Sequence, residues 1–456
     1  MTKPNLSRRV FLGGAAALFL SPRRLWADGV PPQAGRWERP DGTATDPVMV
    51  RRLYLDLAGR IPTADEARSY VASEAPGKRA ELADRLLASD DFANYWAMRF
   101  CDILRVKSEF PINLWPNAVY VYHRRIRAFV ADDEPWDRFG TDLLTSQGSD
   151  FRDAGVNFFR ATVKRTPEGW AEAVAQTFLG IPPDRLDPAR RDRIAAHFAG
   201  VRIKDSREWK EEIVYADGPD RRGELCRRLF GDCRAEVADA FRRRVCEWIF
   251  GPGCRPVGAA GELRLKELLR SVVLSPAYAA GSVTGDFPAR RLDAEVLDDA
   301  LCALSGSPRD YQSPAPEPFS FLPPERPTVC IEDGSISSGF LTLFGRPARD
   351  TGLPGERRTE VTAKQRLTLF NSVRIHGQLG RIVTSPGGKG AKPPPFDRRV
   401  DDLYWKLLSR PPAADERRAI RAVWNARSAR PKPNAWAMLR DVAWCLVNSK
   451  EFLFRT

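Results

Sequence analysis

Histidine is scarce in this sequence, and the motifs that build common catalytic centres are missing. The 456 residues include three histidines, His123, His197 and His376, which lie far apart along the chain. There is no His-x-x-x-His segment, no Gly-x-Ser-x-Gly elbow and no glycine-rich phosphate loop. These absences argue against a histidine-rich metal site and against nucleotide chemistry. No cofactor and no metal are therefore predicted, and the residues leave open whether the protein is an enzyme.

Long hydrophobic runs are also absent, apart from a ten-residue segment at positions 11–20. That segment is too short to span a bilayer, which takes about 20 residues. Arg8 and Arg9 precede it, and Arg23 and Arg24 follow it. Basic residues on both sides disfavour secretion of an unfolded chain and favour export in the folded state. The pattern predicts a twin-arginine export signal.

The predicted signal covers residues 1–27, with cleavage after Ala27. It indicates a periplasmic or otherwise exported protein, attached to a membrane only if the signal stays uncleaved. The net charge of +13 is dominated by scattered arginine. A nucleic-acid interface would need clustered basic residues with exposed aromatics, so nucleic acid is not predicted as a partner. An anionic polymer or envelope surface remains open.

The eight cysteines do not follow a metal or haem pattern. Their spacing lacks paired Cys-x-x-Cys segments, and no Cys-x-x-Cys-His haem attachment exists. An oxidising compartment permits disulfides, and four cysteines fall within residues 226–254. A bridge in that region and buried free thiols remain equal alternatives.

Helical periodicity dominates the chain, and strand-like alternation is rare. We predict a mostly α fold with little or no sheet, made of two helical domains over residues 28–217 and 218–456. The predicted helices are 64–74, 78–88, 91–106, 117–131, 136–145, 167–179, 188–199, 221–230, 234–250, 262–274, 293–304, 362–372, 397–409, 413–426 and 434–448.

A weak internal repeat links the two ends of the chain. Residues 54–66 match residues 404–416 at seven of thirteen positions. Each copy predicts a helix that ends near Gly or Ser, then an arginine, a proline break and a new helix. Thr63 and Glu66 predict a capping box, whereas Ala413 replaces the capping residue in the second copy. The repeat indicates either a recurrent helix-hairpin unit or a duplicated binding surface, and its copies are expected to pack together.

Several stretches resemble one family architecture. The first three resemble the planctomycete-type cytochrome-associated domain of unknown function, and the others resemble its usual C-terminal companion domain. The resemblance implies an exported, mainly helical protein without established activity, often found beside envelope or polysaccharide-processing systems. The stretches are residues 51–63, 85–90 and 95–96, then 268–278, 290–297, 344–350 and 446–452.

The chain departs from that family where a haem would be attached. Many members carry a Cys-x-x-Cys-His segment, but residues 177–198 contain no cysteine here. Covalent haem needs two thiols and an axial histidine, so His197 alone does not suffice. The companion domain's Cys-x-Cys is likewise replaced by residues 352–356. A redox function is therefore disfavoured.

The best candidate binding residues lie between positions 110 and 160. Amides beside a tryptophan suit a sugar, which needs hydrogen bonds and an apolar face. The structural alternative is that Asn117 caps helix 117–131 and that His123 is half-buried. The candidates are Asn113, Trp115, Asn117, Tyr120, His123, Arg152 and Asn157.

Two charged clusters are expected to be structural. Residues 208–213 are interpreted as a solvated charged face, with Glu211 and Glu212 on different sides of a helix. Residues 346–360 are interpreted as an ion-pair network that holds a loop. The leading hypothesis is a non-catalytic binding protein of the cell envelope, whose partner is another exported protein or an envelope glycan. The alternative is an enzyme or binding protein that acts on polysaccharide through the 110–160 cluster.

Overall fold

The computed structural model describes residues 39, 41–281, 287–384, 394–429 and 434–456. The fold is mostly α-helical, as predicted. The predicted export signal, with Arg8 and Arg9, lies outside the described residues. No helix within the described ranges has the length and apolarity needed to cross a membrane.

Most helices of the N-terminal half lie within the predicted ranges, but Asp46–Leu53 and Asn157–Arg160 were not among the predicted helices. The helices of this half are α1 (Asp46–Leu53), α2 (Ala64–Ala72), α3 (Lys78–Leu87), α4 (Asp90–Ile103), α5 (Trp115–Ala131), α6 (Trp136–Thr145), α7 (Asn157–Arg160), α8 (Pro167–Val174), α9 (Pro188–Ala195), α10 (Arg222–Arg227) and α11 (Arg234–Phe250). Short π-helical segments extend three of them, at Tyr54–Ala58, Ala175–Leu179 and Arg228–Asp232.

The helices of the C-terminal half include one long helix that the periodicity did not predict, Val373–Val383. They are α12 (Leu265–Val273), α13 (Pro276–Ala279), α14 (Ala294–Ser305), α15 (Gly339–Leu343), α16 (Ala363–Asn371), α17 (Val373–Val383), α18 (Phe396–Leu408), α19 (Ala414–Ser428), α20 (Ala435–Val447) and α21 (Lys450–Leu453). Single 3₁₀ turns lie at Ala154–Val156, Pro183–Arg185, Ala196–Phe198, Thr328–Cys330 and Pro354–Glu356.

Two small antiparallel sheets interrupt the helices. The first has the order β1-β3-β2, with β1 at Gly148–Ser149, β2 at Val201–Asp205 and β3 at Glu212–Ala216. The second pairs β4 (Arg290–Arg291) with β5 (Phe454–Arg455). The β2–β3 hairpin corrects one prediction: Glu211 and Glu212 lie on a hairpin and not on a helix, and Glu211 is only 5% exposed.

The internal repeat forms the same turn twice. In the first copy Gly59 is left-handed, with φ of 63°, and Arg60 follows it. The Arg60 guanidinium donates to Glu66 at 2.9 Å and to Asp91 at 2.7 Å. The backbone N–H of Thr63 also donates to Glu66, and Thr63 caps α2 as predicted. This turn is therefore held by one arginine and two carboxylates.

The second copy repeats this geometry with different residues. Ser409 takes the left-handed position, with φ of 59°. Arg410 donates to Glu416 at 2.7 Å and 3.0 Å, and to Glu451 at 2.6 Å and 2.7 Å. The N–H of Ala413 still donates to Glu416 at 2.7 Å, although Ala413 has no side-chain oxygen to complete the box.

The two repeat copies pack against each other, as expected. Arg68 on α2 donates to Asp402 on α18 at 2.7 Å. Arg51 on α1 donates to the carbonyl oxygens of Leu407 and Phe452 at 2.9 Å and 3.0 Å. Hydrogen bonds from the side chains of Arg68 and Arg51 thus join the first repeat copy to the second copy and to α21.

A buried ion-pair network joins the two halves of the molecule. Arg357 pairs with Asp102 on α4 and with Glu295 on α14, each at 2.7 Å. Arg349 pairs with the same aspartate at 2.9 Å, and Arg346 lies 3.5 Å from Glu295. The network predicted for residues 346–360 is confirmed, and it connects distant helices besides holding its own loop.

All eight cysteines are free thiols in the structure. Burial raises the pKa of the Cys101 thiol to about 12. The two alternatives left open by the spacing are therefore resolved in favour of free thiols, several of them buried in the helical core.

Candidate functional site

Three aromatic rings from distant parts of the chain meet at the surface. Trp115 and Trp209 have ring centroids 4.8 Å apart, and each lies 5.4 Å from the ring of Phe319. Trp209 is 62% exposed and Phe319 is 44% exposed. We call these three residues the aromatic patch. Solvent-exposed aromatic clusters of this kind are typical of binding surfaces.

Trp115 is positioned by the loop that leads into α5. Its backbone N–H donates to the carbonyl of Ser108 at 3.3 Å, and its φ is 67°. Asn113, two residues earlier, is also left-handed, with φ of 59°. Non-glycine residues adopt this region rarely and at a cost in free energy, so the surrounding structure holds the loop in this shape.

The other two rings are held by tight turns. Trp209 lies in the β2–β3 turn, where the N–H of Glu208 donates to the Ser206 hydroxyl at 2.9 Å. The N–H of Phe319 donates to the carbonyl of Pro316 at 3.0 Å. Local hydrogen bonds from backbone N–H groups thus shape both turns, and the rings that they carry stay exposed to solvent.

The buried side chain of Glu211 stabilises the β2–β3 hairpin. Its carboxylate accepts hydrogen bonds from the hydroxyls of Ser149 and Ser206. These bonds favour the charged form and lower the pKa of Glu211. Arg152 lies 3.8 Å from the same carboxylate. Since Glu211 stabilises the turn that carries Trp209, the expected solvated charged face is wrong at this residue.

Glu212 ties the hairpin to the loop that carries Trp115. Arg160 pairs with Glu212, and Arg165 donates to it at 3.1 Å. Arg160 also donates to the carbonyl of Leu114 at 3.3 Å, and Arg165 donates to that of Ile112 at 3.2 Å. Two arginines therefore clamp the strand and the loop together, which sets the distance between Trp115 and Trp209.

Four of the seven predicted site residues lie on this loop and the start of α5. Asn113 is exposed beside Trp115, and Asn117 and Tyr120 are exposed on α5, the latter by 56%. The helix begins at Trp115 with Leu114 before it, so the interpretation of Asn117 as its cap is wrong. Of the predicted residues, Trp115 alone contributes a ring to the aromatic patch.

The other three predicted residues are divided between surface and interior. Arg152 is 74% exposed, whereas His123 and Asn157 are buried. Asn157 donates to the carbonyl of Asp150 at 2.9 Å. Burial, with added repulsion from nearby arginines such as Arg349, lowers the pKa of His123 to about 3. His123 and Asn157 therefore stabilise the fold below the surface.

Sequence reasoning missed Trp209, Phe319 and the neighbouring Lys210. The ammonium of Lys210 lies 5.5 Å and 5.9 Å from the ring centroids of Trp115 and Trp209. One signal was present: Trp209 stands alone among charged residues in a segment without apolar periodicity. The residues around Trp209 lack the apolar spacing of a buried helix or strand. An exposed position is therefore favoured for this tryptophan.

Together these features define an α-helical protein of two joined halves that carries a cluster of solvent-exposed aromatic rings. The chain is a member of the PSCyt2–PSD1 architecture. Residues 36–195 match PSCyt2, and residues 259–424 match PSD1; both are described as protein of unknown function (DUF1549 and DUF1553). The resemblance drawn from the motifs is confirmed. Neither the curated proteins nor the solved structures include a match.

Residues 177–198, where the resemblance would place a haem attachment, form short helical segments and turns. The π-helical segment Ala175–Leu179 ends at Gly180, which is left-handed with φ of 66°. His197 is buried, and its Nδ1 donates to the carbonyl of Arg221 at 3.2 Å. The residues present do not fit a covalently bound haem, because no thiol lies in this segment.

Proposed function

We propose that this is an exported binding protein that captures a carbohydrate polymer of the cell envelope on the aromatic patch. The observation that carries the proposal is the meeting of Trp115, Trp209 and Phe319 at the surface, from three segments separated by about a hundred residues each. Export itself stays a prediction from residues 1–27.

The chemistry of the patch suits a sugar. The C–H faces of a sugar ring are apolar and pack on aromatic rings, while its hydroxyls need polar partners close by. The ammonium of Lys210 supplies such a partner beside the rings, and Asn113 is an exposed amide two residues before Trp115. Phe110 and Phe321, which are 78% and 71% exposed, lie close in sequence to Trp115 and Phe319.

Glu211 and Glu212, two carboxylates of the hairpin that carries Trp209, have structural partners. General acid–base work needs a carboxyl group that can exchange a proton with a ligand. Glu211 is held by two serine hydroxyls, and Glu212 is held by Arg160 and Arg165. Because these partners already use the carboxylate oxygens, both groups serve to shape the patch.

The test uses three polymers of different chemistry: peptidoglycan sacculi, xylan and alginate. Binding of the purified protein is measured by co-sedimentation with sacculi and by affinity electrophoresis with the soluble polymers. We expect Trp209→Ala and Phe319→Ala each to weaken binding about tenfold or more, because each ring is an anchor of the contact.

Trp436→Ala is the matched control. Trp436 is a second exposed tryptophan, at 41%, and it lies on α20 under the guanidinium of Arg399 at 3.7 Å, away from the patch residues in the chain. This variant should bind like the parent protein. The proposal fails if none of the three polymers binds, or if Trp436→Ala and Trp209→Ala lose binding equally.

A further inference from the structure

A concave feature separate from the aromatic patch lies between the two family domains. It is a cleft of about 570 Å³, within the range of about 300–1,000 Å³ that small-molecule sites occupy. We call it the interdomain cleft. Its walls come from Ala58–Asp65 and Asp91 on the PSCyt2 side, and from Asp299, Ala300, Ala303, Leu304, Arg309, Pro327, Val329, Cys330 and Lys406 on the PSD1 side.

Neither domain forms this cleft alone. The ion pairs of Arg357 with Asp102 and Glu295, and of Arg349 with Asp102, fix the α4 and α14 walls relative to each other. Ligand sites occur preferentially at such junctions between domains. The cleft therefore gives a physical reason for the two domains to occur in one chain.

The interior of the cleft is apolar. Ile61 and Pro62 face it from the first repeat turn, and Ala300, Leu304 and Val329 face it from the opposite side. Ile61, Ala300 and Val329 are between 3% and 8% exposed, so the floor is part of the packed core. A ligand that fills this space gains free energy by removing apolar surface from water.

The carboxylates of the lining are already neutralised. Asp91 pairs with Arg60 at 2.7 Å, and Asp299 pairs with Arg309 at 2.8 Å. Asp299 also accepts hydrogen bonds from the backbone N–H groups of Thr328 and Val329.

Lys406 differs from the other charged groups of the cleft. The exposed carboxylate of Asp65 pairs with Arg68 at 3.3 Å. Among the residues that the structure describes, no carboxylate lies within 4 Å of the ammonium of Lys406, which is half-buried on α18. The cleft thus joins an apolar interior to one cation that lacks an ion-pair partner.

We propose that the interdomain cleft binds an amphipathic monoanion, a long-chain carboxylate, with its chain on the apolar floor and its head group on Lys406. An anion of this kind compensates the unpaired ammonium, whereas a neutral chain leaves it unpaired. This site is separate from the aromatic patch, so the two proposals stand or fall independently.

The test measures displacement of the fluorescent fatty acid cis-parinaric acid from the purified protein by dodecanoate and by dodecanol. We expect dodecanoate to displace the probe about tenfold better than dodecanol. Lys406→Glu should weaken the binding of dodecanoate at least tenfold and leave the binding of dodecanol unchanged. Ala303→Trp, at an exposed position on the cleft wall, should block both ligands by filling the space.

Lys364→Glu is the matched control, because Lys364 is an exposed lysine outside the cleft lining. It should bind both ligands like the parent protein. Cys330 provides an independent readout, since its half-exposed thiol lines the cleft. Dodecanoate should slow alkylation of Cys330 and leave that of half-exposed Cys233 unchanged.

The proposal is overturned if cis-parinaric acid does not bind, or if Ala303→Trp binds it as the parent protein does. If Lys406→Glu weakens the binding of dodecanoate and dodecanol equally, Lys406 does not bind the carboxylate head group. Unchanged alkylation of Cys330 at saturating dodecanoate would place the ligand elsewhere on the protein. Melting temperatures of all variants within a few degrees of the parent value show that the losses are not due to unfolding.

Discussion

The two copies of the repeat turn provide an internal comparison of buried and exposed ion pairs. Arg410 and its partners Glu416 and Glu451 have side chains only 6%, 2% and 10% exposed. In the first copy, Arg60 and Asp91 are 34% and 47% exposed in an equivalent arrangement. Because the geometry is the same and burial differs, substitution of each arginine isolates the effect of burial.

We expect Arg410→Met to cost about 3–5 kcal/mol of unfolding free energy, since it removes the guanidinium that pairs with two buried carboxylates. Arg60→Met should cost only about 1 kcal/mol, because water solvates the carboxylates that it exposes. Methionine preserves most of the apolar contact that each arginine makes with Tyr404 or Tyr54. Urea unfolding at pH 7, followed by circular dichroism, measures both values.

The pH dependence of the free energy of unfolding provides a second test of this prediction. Partial burial favours a higher pKa for Glu66, but the hydrogen bonds from Arg60 and Thr63 outweigh it and lower the pKa to about 2. The folded pKa is thus below the unfolded value of 4.5, so this contribution is present above about pH 4.5 and is lost as the pH falls towards 2. The cost of Arg60→Met should therefore shrink in that window. Equal costs for the two arginine variants at pH 7 would refute the argument from burial.

Three further predictions follow from single buried sites. Gly59→Ala should cost about 2–4 kcal/mol in thermal unfolding, because φ is 63° and the new Cβ would lie 2.3 Å from a ring carbon of Tyr95. In mass spectrometry of the native protein treated with iodoacetamide at pH 7.5, Cys101 should stay unmodified while half-exposed Cys233 reacts, and urea should abolish the difference. Because burial lowers the pKa of His123 to about 3, its NMR signals should show no titration between pH 8 and pH 4. The unfolded chain binds a proton at His123 below about pH 6.5 and the folded protein does not, so the stability should decline as the pH falls below that value.

Much of the helical fold could be predicted because its determinants are local. Helices 136–145 and 234–250 were predicted with their observed bounds, since amphipathic periodicity runs to both ends of each. Val373–Val383 was missed because Gly377 and Gly380 lower its helix propensity, although its apolar residues have helical spacing. The β2–β3 hairpin was also missed, although residues 201–204 alternate between apolar and charged side chains, because its strands are short and are stabilised by partners such as Arg160 from elsewhere in the chain.

The candidate site was less predictable than the fold. Trp115 was identified by its amide and aromatic neighbours, but nothing in that segment indicates that Trp209 and Phe319 lie against it. His123 and Asn157 resemble surface ligands in the sequence, yet helix packing buries them. The sequence around each candidate thus indicated which chemical groups are present, but it did not indicate whether they are exposed to solvent.

The amino-acid sequence alone determined the helices, the repeat turn and the family, because capping, left-handed residues and apolar spacing act over a few residues. The absence of a haem-attachment motif is likewise a property of the sequence. Tertiary structure decided which side chains meet: the rings of the aromatic patch, the pairing of Arg357 with Asp102 and the walls of the interdomain cleft. These contacts join residues about a hundred or more positions apart, and their formation depends on the packing of the whole chain.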